Sequence, residues 1–238
     1  MKVVDGIFLV GGSSYNLSNG CNVYLIDCGG ELVLIDIGSE TDVDFVEENI
    51  RKEGYNPRDI SALLITHSHL DHAGGASKAK KVFGCKLAAH VLTAEAIESG
   101  VQKSQGELTP ASVEIKLHGK ETLTFGETAI KTFNTPGHTK EGGDLCYSIN
   151  YMQETVLFTG DTAFKCERGL MGGHPISAWL GLRRREEIQT YLRSLQSLLY
   201  DVNPDIILPG HGLLVLRKGR DELKECIRLV SEHLREPH

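Results

Sequence analysis

The sequence has no long hydrophobic run, no Cys-x-x-Cys pair and no basic excess. No apolar stretch among its 238 residues approaches the roughly 18 needed to cross a bilayer as a helix, so no membrane partner is expected. Six cysteines stand apart at 21, 28, 85, 146, 166 and 226, a spacing that fits neither a zinc ribbon nor a redox pair. Asp5 interrupts the apolar start, which argues against a secretory leader. Reduced thiols and a cytoplasmic location follow as expectations. Thirty-two acids against 25 bases leave a net charge of −7, a poor match for a nucleic-acid backbone. The one tight basic cluster, Arg183-Arg184-Arg185, reads as a solvated helix start. Repeats, low-complexity tracts and composition breaks are all missing, so residues 1–238 are read as one domain.

What is present alternates between β-type runs and amphipathic helices. Residues 22–27 and 31–36 flank a glycine turn and predict a hairpin. The run Leu32 to Ile35 is apolar throughout, as in a strand covered on both faces. A helix is expected from Thr41 or Asp42, with Val43, Val46 and Ile50 on its inner face and Gly54 at its end. A strand over 60–66, helices over 76–83 and 90–98, and a small strand at 85–89 follow. Residues 100–119 have few apolar anchors and predict a long loop that could act as a lid. Hairpins are expected at 121–133 and 144–158. A helix over 184–199 would bury Ile188, Leu192, Leu195 and Leu199, and one over 219–235 would bury Leu223, Ile227, Val230 and Leu234.

The chain's most informative stretch is Thr66-His67-Ser68-His69-Leu70-Asp71-His72-Ala73-Gly74-Gly75. In a helix, His69 would point away from His67, Asp71 and His72. In a strand, His72 would be the outlier. A loop running into a helix lets all four converge, and the paired glycines allow a tight bend or a close backbone approach. Imidazoles with a carboxylate suit zinc or iron. Three later strand ends also present polar side chains: His138, Asp161 and His211. Five histidines and two aspartates exceed the needs of one tetrahedral zinc and fit two adjacent cations sharing a carboxylate. His90, His233 and His238 lack such context and read as structural or surface residues. His174 lies in the glycine-rich 169–175 stretch and is a candidate for the substrate pocket.

The ordered set His-x-His-x-Asp-His (67–72), Thr-Pro-Gly-His-Thr (135–139), Thr-Gly-Asp (159–161) and Pro-Gly-His-Gly (209–212) resembles the metallo-β-lactamase superfamily over residues 7–212. The resemblance implies an α/β fold, a four-layer αβ/βα sandwich of two mixed β-sheets flanked by helices. It implies that His67, His69 and His138 hold one metal, that Asp71, His72 and His211 hold a second, and that Asp161 bridges. Two zinc ions are the implied cofactors, with iron or manganese as alternatives. Val33-Leu34-Ile35-Asp36-Ile37-Gly38 resembles the family's first motif, in which the aspartate supports a ligand from behind. The implied chemistry is attack of a metal-bridging hydroxide on a carbonyl carbon, with Asp71 orienting the nucleophile or passing a proton to the leaving group.

Within the superfamily, a bridging aspartate with a full His-x-His-x-Asp-His looks like the hydroxyacylglutathione hydrolase (glyoxalase II-like) and lactonase branches. Only 27 residues follow His211, whereas the glutathione thioesterases carry a further helical domain. A thioesterase, esterase or lactonase acting on a small molecule is therefore the sharper expectation. The rivals are a mononuclear iron persulfide dioxygenase-like enzyme using His67, His138 and Asp161, a phosphodiesterase or nuclease, and a non-catalytic metal-binding module. Tyr15, His174 and Trp179 are candidates for the substrate pocket, and a homodimer is the candidate assembly.

Overall fold

The computed structural model describes residues 1–18, 20–101, 106–163, 165–166, 169–170 and 184–235. Two sheets face each other. The first runs β1 (Lys2–Val4), β2 (Ile7–Gly11), β3 (Val23–Asp27), β4 (Leu32–Ile35), β5 (Ile60–Leu64), β6 (Lys86–His90) and β7 (Ile115–Leu117), in chain order across the sheet. Its β1–β4 pairings are antiparallel, and β4 through β7 are parallel. The second has the order β14 (Ile206–Pro209), β11 (Glu154–Gly160), β10 (Leu145–Tyr151), β9 (Thr128–Asn134) and β8 (Thr122–Phe125). Only its β11–β14 pairing is parallel. Residues 165–166 and 169–170 pair antiparallel as a separate two-stranded ladder, β12 and β13.

Period-two burial makes four layers. Val33 and Ile35 of β4 point between the sheets, whereas Leu32 and Leu34 point to the helical side. In β11 and β14, Val156, Phe158, Ile206 and Leu208 enter the same inter-sheet core, and Leu157 and Ile207 face outward. This explains the uninterrupted apolar runs of β4, β11 and β14, which are covered on both faces, whereas β8 and β9 keep an exposed face. Outside the first sheet lie α1 (Asp42–Lys52), the short α2 (Leu70–Ala73), α3 (Ala76–Phe83) and α4 (Val91–Ser99). Outside the second lie α5 (Arg185–Asp201) and α6 (Gly219–His233). No helix among the described residues is long and apolar enough to cross a membrane.

Several local expectations shift. Thr41 makes no capping bond. Instead the Asp42 carboxylate accepts from the Ser39 amide at 2.8 Å, so the side chain folds back on the preceding turn. The stretch 100–119 is not loop throughout: residues 115–117 add a parallel edge strand, and Leu108 and Val113 are buried in the helical layer. Three residues are too short a run to show period two in sequence. Residues 102–105 lie outside the described set. On α5 the buried stripe is Ile188, Tyr191, Leu195 and Leu198, with Leu192 and Leu199 only partly covered. Tyr191 wins the inner face because its hydroxyl donates to the Thr162 carbonyl at 2.8 Å. On α6, Cys226 takes the inner position expected of Ile227. Cys21, Cys28, Cys85, Cys146 and Cys226 are buried thiols.

Candidate metal centre

The strands β4, β5, β9, β11 and β14 all end at one edge of the sandwich, and each is followed by a polar residue: Asp36, His67, His138, Asp161 and His211. The carboxyl ends of strands are a common place for such sites, because backbone pairing stops there and side chains turn inward. The 66–75 stretch takes the loop-into-helix form. His69 is extended, and α2 starts at the next residue. Gly74 is required by space: a Cβ there would lie 2.3 Å from the Leu70 carbonyl oxygen.

Two clusters result. His67, His69 and His138 form one, with His138 Nε2 3.0 Å from His69 Nδ1. Asp71, His72 and His211 form the other. There His211 Nε2 stands 2.9 Å from Asp71 Oδ2 and 3.1 Å from His72 Nε2. Asp161 lies between them. Its Oδ2 is 3.4 Å from His138 Nε2, and its Oδ1 is 3.3 Å from His72 Nε2 and 3.7 Å from His211 Nε2. All seven residues that the sequence singles out as ligand candidates meet here.

Asp36 stands behind the clusters, at 1% exposure. Its Oδ2 accepts from the Thr66 hydroxyl and from His72 Nδ1, each at 2.8 Å, and its Oδ1 accepts from the Thr66 amide at 2.8 Å. Since the Thr66 hydroxyl has one hydrogen and gives it to Asp36, its oxygen accepts from His67 Nδ1 at 3.0 Å. One carboxylate thus sets both His67 and His72 as Nδ1–H tautomers and leaves both Nε2 atoms facing the site. To do this Asp36 adopts a left-handed φ of +58°, a conformation unusual outside glycine.

Whether cations fit can be tested on these atoms. Buried His67 Nε2 and Asp161 Oδ1 have no hydrogen-bond partner, a costly state unless something else binds them. Donors held 2.0–2.1 Å from a tetrahedral cation lie about 3.4 Å apart. The donor pairs here run from 2.9 to 3.8 Å. Neutral imidazoles and ionised carboxylates are the required states. Burial and the neighbouring rings of His72 and His138 keep His67 well below the usual histidine range. Burial would raise Asp71, but the hydrogen bond from His211 and the charge of a protonated His72 hold it at about 2. Against its burial, neighbouring Cys21, Asp161 and Asp36 push His72 well above the ordinary histidine range, so a cation would have to displace its Nε2 proton. Asp161 also stays ionised: the rings of His72 and His211 outweigh its burial. The donor set fits metal cations.

Two positioning groups had no visible signal in the sequence. Asn22 Nδ2 donates to the Pro209 carbonyl at 2.9 Å and to that of Gly212 at 3.3 Å, and its amide donates to Gly210 at 2.7 Å. The Tyr24 hydroxyl donates to Pro209 at 2.6 Å. Together they clamp the loop that carries His211. Tyr15 packs against the inter-sheet core, and its hydroxyl accepts from the Leu214 amide at 3.0 Å. His174 and Trp179 lie outside the described residues. His90 caps α4, its Nδ1 accepting from the Leu92 amide at 3.2 Å.

A four-layer αβ/βα sandwich with a histidine–aspartate centre at one sheet edge defines the class. The chain belongs to the metallo-β-lactamase superfamily, whose family model matches residues 18–211. It is similar to the Beta-lactamase-like protein 2 homolog of Drosophila melanogaster, 28% identical over 82% of this chain and 60% of the fly protein. A probable hydroxyacylglutathione hydrolase of Schizosaccharomyces pombe is 30% identical over 74% of this chain and 54% of its own. An atrochrysone carboxyl ACP thioesterase of Aspergillus chevalieri is 28% identical over 91% and 61% respectively. The chain thus spans between about half and two thirds of these relatives' lengths. Among solved structures, the subclass B3 metallo-β-lactamase BJP-1 of Bradyrhizobium japonicum superposes with a TM-score of 0.76 at 22% identity, covering 98% of this chain and 90% of BJP-1. That likeness is one of fold.

Proposed function

We propose that the protein is a dinuclear metal-dependent hydrolase acting at a carbonyl carbon of a small ester, thioester or lactone. The observation that carries this reading is Asp161, whose two oxygens face different histidine clusters within 3.7 Å. His67, His69 and His138 would hold one cation and Asp71, His72 and His211 the other, with zinc the metal best matched to these donors. Such cations acidify water and polarise a carbonyl. The chain's own part is to fix the donors. Asp36 holds the rings of His67 and His72, and Asn22 and Tyr24 hold the His211 loop. Asp71, held at about 2 and partly exposed at the rim, is an anion at neutral pH, which suits a ligand and an orienting group for the nucleophile. Relatives named as a hydroxyacylglutathione hydrolase and an ACP thioesterase support acyl-transfer chemistry. The net charge of −7 favours a small-molecule substrate over a nucleic acid.

The test is elemental analysis of the purified protein followed by turnover of thioesters, lactones, β-lactams and phosphodiesters. Two metals per chain and chelator-sensitive thioester or lactone cleavage are expected. One iron per chain with oxygen consumption on a persulfide would replace this reading. An Asp71→Asn protein with full metal and unchanged turnover would remove the orienting role.

A further inference from the structure

The loop that delivers His138, residues 135–144 between β9 and β10, has no regular structure of its own. One buried carboxylate organises it. Asp144, 2% exposed, accepts on Oδ2 from the amides of Gly137 at 3.1 Å and His138 at 3.2 Å, and on both oxygens from that of Thr139 at 3.1 Å. Successive amides aimed at one point form an anion-binding nest, here filled by the chain's own side chain. The Asp144 carbonyl takes the Thr135 amide at 2.8 Å, and the next amide, Leu145, donates to Thr66 at 2.8 Å. Asp144 therefore joins the His138 loop to the strand end that carries His67. On the loop's other side Gly137 has a φ of +140°, and a Cβ there would meet Tyr191 at 2.7 Å. The His211 loop, by contrast, is clamped by Asn22 and Tyr24.

We propose that Asp144 is a positioning residue that sets the metal affinity of the His67–His69–His138 cluster separately from that of the Asp71–His72–His211 cluster. This rests on reading the two clusters as metal sites. Without the carboxylate, the buried amide of Thr139 and the partly buried amides of Gly137 and His138 would be left unpaired, a state the loop escapes by turning toward other partners. His138 turns with it and leaves His69. Nothing in the Asn22 clamp depends on Asp144, so the second cluster keeps its arrangement.

Zinc withdrawal with a graded chelator tests this, with the ring 15N resonances of His138 and His211 followed as separate reporters. In Asp144→Asn, which keeps the shape and one acceptor, His138 is expected to release zinc at about tenfold higher free zinc than in the wild type, and in Asp144→Ala at about a hundredfold higher. The His211 curve is expected to stay in place. Asn22→Ala is expected to give the opposite pattern. A general loss of folding would move both curves together. Joint movement in Asp144→Asn, or no movement, overturns the proposal even if the alanine protein fails to fold. A wild type that binds zinc at neither histidine overturns the metal-centre reading and this inference with it. Two normal wild-type curves with a joint shift in the variant overturn this inference alone.

Discussion

Thr66 shows how much one hydroxyl can carry. It relays the tautomer choice from Asp36 to His67, accepting from the ring while donating to the carboxylate. Thr66→Val keeps the shape and removes the relay, so His67 Nδ1 loses its acceptor and the ring is free to present the wrong nitrogen. Metal affinity is expected to fall about tenfold, as for other groups that orient a ligand from behind. The fold should lose only about 1–3 kcal/mol. Chelator competition and thermal melting measure the two effects, and a large stability loss with unchanged affinity would contradict the relay. Gly210 makes a second residue-scale prediction. A Cβ there would sit 2.5 Å from His72 Cε1 and 2.7 Å from Asp161 Oδ1. Gly210→Ala is thus expected to stay folded by circular dichroism and to bind less than the wild-type quota of metal by elemental analysis. The ligand candidates were readable because histidines clustered after a strand are rare. Asn22, Thr66 and Asp144 were not, since each looks like an ordinary polar residue until its distant partners are known.

Among the elements, α2 carries Asp71 and His72 themselves, and α4 supports the site from one step away: the Thr93 hydroxyl donates to the Gly143 carbonyl at 2.8 Å within the His138 loop. The cap of α4, His90, can accept the Leu92 amide only while its Nδ1 is unprotonated. Burial and the adjacent His118 hold the ring below its ordinary value of 6.5. A histidine whose folded pKa is lowered stabilises the fold above the unfolded value, and that contribution is lost as pH falls below it. His90→Asn supplies an amide oxygen that caps at any pH. The wild-type melting temperature should therefore drop more steeply between about pH 7 and pH 5 than that of the variant. The other histidines are common to both proteins, so equal slopes would refute the capping role. Helix existence was legible from spacing at this scale, and so was the inner face of α1, where Val43, Val46 and Ile50 are buried as expected, whereas the full facing of α5 was not. The sequence pattern favours Leu192 on α5, but the hydrogen bond of Tyr191 to Thr162 turns the helix toward the aromatic ring.

For the whole molecule, the centre is a junction between sheets. His67, His69, Asp71 and His72 come from the first sheet, and His138, Asp161 and His211 from the second. Protein hydrogen bonds also cross here: the Tyr147 hydroxyl donates to Ile65 at 2.8 Å, and Tyr24 donates to Pro209. These tie the sheets at the strand ends, but they do nothing for the facing carboxylates of Asp71 and Asp161 or for the orphaned Nε2 of His67. Cations held by both halves would offset the carboxylate charge, engage the orphaned donors and add a bond between the layers. A ligand that binds only the folded state stabilises it by about 4 kcal/mol at a thousandfold excess over its dissociation constant. For a chain of this size each kcal/mol moves the melting temperature by about 2–4 °C, so saturating zinc is expected to raise it by roughly 8–16 °C over the chelated protein. Paired melts with zinc and with chelator measure this, and the same pair on His211→Ala locates the effect. A shift that survives intact in His211→Ala would mean that the stabilising ions bind away from the second cluster and do not join the sheets through it.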